Sequence, residues 1–217
     1  MKLQRGRVSL WLEPLRERGG PNLLLLHALG GSSADFAGAE LEWPGSLYAL
    51  DFSGHGRSGR ILGGSYQPEL LAADADAALA HLGTASVLGV GIGAYAALLL
   101  AGARGARVPA AVLCKGEGFA GGGSDFAPLQ RPMTGALQRA DVSHDLQAEP
   151  HVDEIAIACL RDDLRPDDYA PKFAAAAARV LLVDDGIELP PWCQAVARVA
   201  GVSVVRDRAE ALRSIAG

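Results

Sequence analysis

The sequence predicts an α/β architecture, a mainly parallel central sheet with helices on both faces, and three observations carry that expectation. Short apolar runs of four or five residues recur along the chain, and the four leucines 23–26 are unbroken in the way of a strand buried on both faces. Most of these runs end in a glycine-rich or acidic turn that leads into a segment of helical periodicity, the alternation that builds parallel sheets. The 217 residues, 49% of them hydrophobic, can bury one sizeable core and fit a single domain over 1–217.

Taken in order, residues 8–12 read as an edge strand, followed by a turn from Glu13 and Pro14 to Gly19, Gly20 and Pro21. The four leucines 23–26 form a buried strand, and 47–50 the next. Pro68 opens a helix to Leu82, since its fixed φ and missing N–H suit a first helical turn. A strand over 86–90 feeds a small-residue helix over 93–103, and 110–114 is a further strand. Residues 115–150 are rich in Gly, Pro, Asp and Ser, so 115–178 reads as a reduced lid between the strands ending near Cys114 and Val183. Within it Val152, Ile155, Ala156, Cys159 and Leu160 recur at helical spacing, and 170–178 is a helix leading into the strand 180–183. After Pro190 come a helix, a strand over 202–205 and a last helix from about Ala209.

A net charge of -5, spread along the chain, gives no basic footprint for nucleic acid or anionic lipid, leaving a small-molecule ligand or a protein partner. No apolar run follows Met1, so neither a secretory leader nor a membrane span is expected and the cytoplasm is the default location. Cys114, Cys159 and Cys193 are odd in number and widely spaced, which fits buried thiols rather than a zinc site or a disulfide framework. Neither cofactor nor metal is implied.

Three strand-end motifs carry the chemistry. The first is Leu23-Leu24-Leu25-Leu26-His27-Ala28-Leu29-Gly30-Gly31-Ser32-Ser33, the second Asp51-Phe52-Ser53-Gly54-His55-Gly56-Arg57-Ser58, and the third Gly89-Val90-Gly91-Ile92-Gly93. In this order and spacing they resemble the oxyanion loop, the Asp-x-x-Gly-His-Gly-x-Ser turn and the Gly-x-Ser-x-Gly nucleophile elbow of the α/β-hydrolase superfamily, over nearly the whole chain. In that family a serine attacks an acyl carbon, a histidine takes its proton, a carboxylate orients the histidine and two backbone N–H groups hold the oxyanion.

Here the serine position is Gly91, which has no side chain and relieves the backbone strain that an elbow imposes on other residues. The resemblance places the histidine after the last strand, but 202–205 passes through Arg206, Asp207 and Arg208 straight into the terminal helix. Asp184, Asp185 and Glu188 are the vestigial acid candidates, expected to be ordinary strand-end and loop carboxylates. The resemblance makes His27, Ala28, Leu29 and Ile92 the pocket and oxyanion residues. His27 braces the turn, and Ile92 N–H points into the pocket at a helix N-terminus. Ala28, where the family has glycine, is expected to misaim the Leu29 N–H. His55, with Asp51 and Arg57, is expected to brace its loop, and His81, His144 and His151 to lie at the surface.

Three readings stay open. The first is a catalytically impaired pseudoenzyme that binds a small acyl or carbonyl ligand, or a protein partner. The second is an active ester hydrolase or lyase with a displaced constellation, Glu117 or Asp125 with His144 or His151. Cys114 as a substitute nucleophile has no base near it in sequence. The third is a dinucleotide-binding protein, because Gly89-x-Gly91-x-x-Ala94 fits the fingerprint with Glu117 as the ribose acid.

Overall fold

The computed structural model describes residues 1–62, 66–118, 145–147, 150–161, 168–186 and 188–216. In chain order the strands are β1 (Lys2–Arg5), β2 (Val8–Arg16), β3 (Asn22–Leu26), β4 (Ser46–Asp51), β5 (His55–Gly56), β6 (Ala85–Val90), β7 (Ala111–Cys114), β8 (His151–Val152), β9 (Val180–Val183) and β10 (Val202–Val205). The helices are α1 (Pro68–Leu82), α2 (Ile92–Arg104), α3 (Glu154–Leu160), α4 (Tyr169–Ala176), α5 (Pro191–Ala197) and α6 (Arg208–Ile215).

Eight strands form one sheet in the order β1-β2-β4-β3-β6-β7-β9-β10. β2 is antiparallel to both its neighbours, and every pair from β4 to β10 is parallel. Strand order therefore reverses between β3 and β6, which opens a crevice at their carboxyl ends, where α/β sheets carry their sites. Register aligns those ends: Leu26 sits beside both Leu50 and Gly89, and Val90 beside Cys114.

The pleat explains the unbroken apolar runs. Leu23 and Leu25 share one buried face with Leu47, Ala49, Leu88, Val112 and Leu181, covered by Phe36, Trp43 and the α6 residues Ala211 and Leu212. Leu24 and Leu26 join Leu50, Val87, Leu113 and Leu182 on the other face, under α1, α2, α4 and α5. Both faces are thus covered, although between β3 and β4 the only helical element is a 3-10 turn over Ser33–Phe36.

The structure corrects three expectations. Residues 8–12 are not at the edge, because β1 pairs outside them. Glu13 and Pro14 belong to β2 rather than to a turn; Pro14 lies at a bulge beyond the Val8–Trp11 stretch that β1 covers, where the ladder tolerates proline. Finally, α4 lies inside the expected lid 115–178 yet packs against α2 and leads into β9, so it is a crossover helix on the sheet. The lid residues 119–144, 148–149 and 162–167 fall outside the described residues. No helix among the described residues is long and apolar enough to cross a membrane.

Candidate functional site

The turns after β3, β4, β6 and β7 meet at the crevice, and Asp51 ties the first two together. One carboxylate oxygen accepts the Ser33 N–H at 2.5 Å and the other the Arg57 N–H at 2.8 Å. The Arg57 guanidinium lies 3.8 Å above the Trp11 ring, so Arg57 braces its loop through backbone and stacking. His27 is fully buried; its Nε2 accepts the Phe52 N–H at 3.1 Å, which puts the proton on Nδ1, bonded to the Ala28 carbonyl at 2.7 Å. Burial pulls its pKa down to about 4, so it stays neutral and acts as a brace.

Gly91 caps α2 at φ +59° and ψ −125°. Glycine keeps the elbow's shape instead of relaxing it. The space that a side chain would fill is taken: a Cβ on Gly91 would sit 2.0 Å from the Glu117 carbonyl oxygen. That same oxygen accepts the Leu29 N–H at 3.1 Å and the Ile92 N–H at 3.0 Å, while the Gly91 N–H bonds the Cys114 carbonyl at 3.0 Å. The two expected oxyanion donors therefore converge on one oxygen, and the expected misaiming of Leu29 by Ala28 is wrong. Ala28 still presents its carbonyl to His27 and to the Gly31 N–H without turning Leu29 away.

Two of the three acid candidates are occupied elsewhere. Lys115 Nζ lies 2.6 Å from Asp185 Oδ1 and 3.6 Å from Asp184 Oδ1, Asp184 also accepts the Gly186 N–H at 3.0 Å, and Glu188 is exposed. Asp184 and Asp185 are thus strand-end carboxylates held by a lysine, and Glu188 is a loop carboxylate. Cys114 is buried, which pushes its thiol pKa up to about 12 and removes it as a nucleophile.

His81 is exposed as expected, but His151 is half-buried: β8 pairs it with Gly56 of β5, and burial, then the Arg60 charge, hold its pKa below the usual value. His55 is buried with Nδ1 3.2 Å from the Ser53 carbonyl, its ring 5.1 Å from that of His27 and its Nε2 without a partner. Burial, with His27 second, takes its pKa down to about 3. Asp125 and His144 lie outside the described residues. The dinucleotide reading needs the amides at the N-terminus of α2 for a pyrophosphate, but the Ile92 amide already bonds Glu117.

Sequence reasoning singled out Gly91 and missed the main-chain carbonyl that packs against it. The trace it left was Gly116-Glu117-Gly118, one residue after the end of a strand.

No family model matches the chain, and no curated protein does. Solved structures do. A hypothetical protein of Pseudomonas aeruginosa PAO1 is 20% identical with a TM-score of 0.66, covering 100% of this chain and 96% of that one. The enol-lactonase of Burkholderia xenovorans LB400 is 18% identical with a TM-score of 0.64, covering 94% and 90%. A thioesterase domain of the curacin biosynthetic pathway is 19% identical with a TM-score of 0.66, covering 100% and 97%. With the strand order, the antiparallel β2 and the elbow after β6, these likenesses give the chain the α/β-hydrolase fold.

Proposed function

We propose that this protein is a cytoplasmic pseudoenzyme on an α/β-hydrolase scaffold, one that binds a small carbonyl or carboxylate ligand, or a protein partner, without turning over an ester. The observation that carries this reading is the Glu117 carbonyl, which fills both the place of a nucleophile at residue 91 and the oxygen site between Leu29 and Ile92. Stripped of a triad member, a serine hydrolase keeps roughly 10³- to 10⁴-fold acceleration over water through its oxyanion hole and binding. With the hole already occupied, even that residue of activity is not expected. The ligand class is suggested by what two convergent N–H donors can hold, a single acceptor oxygen, and by the lactonase and thioesterase names of two neighbours.

The test is incubation with a fluorophosphonate probe alongside p-nitrophenyl acetate and butyrate. The expected result is no stoichiometric label and hydrolysis at the buffer rate; a covalent adduct or saturable turnover ends the proposal. One observation favours a displaced constellation: Glu117 Oε2 is buried without a partner beside the elbow. That rival predicts saturable turnover that falls in Glu117→Ala and His151→Ala.

A further inference from the structure

We propose that residues 115–118 form a displaceable latch, an internal stand-in for a bound carbonyl that closes the two-amide site and can withdraw while the sheet stays folded. It deepens the binding reading and rests on it only for what replaces the latch, a ligand's carbonyl or carboxylate oxygen.

Among the described residues the latch meets the site through main-chain contacts at its inner side, and Lys115, Gly116, Glu117 and Gly118 bring no apolar side chain to it. Glu117 offers its carbonyl to Leu29 and Ile92, and Cys114 offers its own to Gly91. Contact this close requires missing side chains on both surfaces. A Cβ on Gly116 would lie 2.7 Å from Val90 Cγ1 and 3.0 Å from Gly91 N; one on Gly118, which has φ +74°, would lie 2.9 Å from Leu29 Cβ and 3.0 Å from Ile92 Cβ.

Outward, Gly116 is exposed, Glu117 half-buried, and Lys115, itself largely covered, reaches the half-buried Asp184 and the exposed Asp185 through ion pairs. A segment with so little buried apolar side chain opens locally rather than with the whole fold. Both donors outlast its departure. Leu29 follows the turn that His27 braces, and Ile92 begins a 13-residue helix whose residues 92–101 are all buried. The withdrawn state therefore presents two aimed N–H groups at the positive end of α2.

Native-state amide exchange on the full chain, read residue by residue by NMR, tests this. Leu29 and Ile92 amides should exchange about 100-fold faster than those of Leu24, Leu88 and Leu98, which open only with the core. Gly118→Ala pushes a methyl against both anchoring residues and should speed the Leu29 and Ile92 amides roughly 10-fold further, the core amides moving less. Gly105→Ala controls for backbone strain, since Gly105 has φ +49° at the other end of α2 with nothing within 4 Å. It should leave the two amides alone. If in the unaltered protein Leu29 and Ile92 exchange only at the rate of the core amides, the segment is a fixed part of the fold and the proposal fails. It also fails if Gly105→Ala matches Gly118→Ala. The unaltered chain decides the question even where a variant does not fold. Ester turnover in the same samples reports separately on the non-catalytic reading.

Discussion

At residue 91 a glycine holds the tight passage from β6 into α2 and presents no side chain there. Its φ of +59° and ψ of −125° suit a residue with no Cβ, and the room so gained is filled by the chain itself. Restoring serine there runs against both facts. Gly91→Ser is expected to lose roughly 1–3 kcal/mol from backbone strain alone, with a further loss as the hydroxymethyl group displaces the Glu117 carbonyl. It should not hydrolyse p-nitrophenyl esters, because His27 has both ring nitrogens committed to backbone and no described histidine follows β9. Urea unfolding and an esterase assay on the one variant check both halves. A gain in turnover well beyond the roughly 10³- to 10⁴-fold over water that an emptied oxyanion hole can supply would mean that a base reaches the elbow.

The elements differ in how far the sequence exposes them, for physical reasons. Helix α1 spans the predicted 68–82 because Pro68 can stand only in a first turn and Gly83, at φ +78°, closes the last. The leucine strand β3 was legible because both its faces are buried. β1 was not, since Lys2, Gln4 and Arg5 leave it only one apolar residue, and it exists by pairing with β2. That residue 91 carries no side chain was legible because side-chain chemistry is written in residue names. The latch was not, because its working atom is a backbone carbonyl that every residue has.

The direct passage from β10 into α6 was legible and has a local cause. Asp207 caps α6 by accepting the Glu210 N–H at 2.7 Å, and Glu210 returns a bond to the Arg206 N–H at 3.0 Å. Asp207→Ala should cost about 1 kcal/mol and fray α6. Amide exchange would show this as faster rates at Glu210 and Ala211, with those of β9 unchanged. Equal protection in both proteins would mean that burial of Ala211 and Leu212 alone fixes the helix.

Across the whole molecule, the bracing that holds the site doubles as an acid sensitivity. His27 and His55 are buried as neutral rings with pKa values near 4 and 3, and His151 beside them is also lowered. His55 is faced by the His27 and His151 rings, which oppose its charging, and by Asp153, which favours it less than burial disfavours it. In the unfolded chain each would titrate near 6.5. A base whose folded pKa is depressed binds its proton first in the unfolded state, so its full contribution to stability is present above about pH 6.5 and is lost as pH falls towards the folded value. For His27 and His55 together the loss at pH 5 is about 4 kcal/mol relative to pH 7.5, a large share of the ~5–15 kcal/mol that holds a domain folded. Asp76 and Asp168, whose carboxylates are lowered by Arg104 and Lys172, add to the loss only below about pH 4. Urea midpoints should therefore be level from pH 8 to 7 and fall by roughly 1–2 M by pH 5, well above the range where carboxylates protonate. A midpoint unchanged between pH 7.5 and 5 would require that the two rings be charged in the folded protein, with solvent reaching the Nε2 of His55.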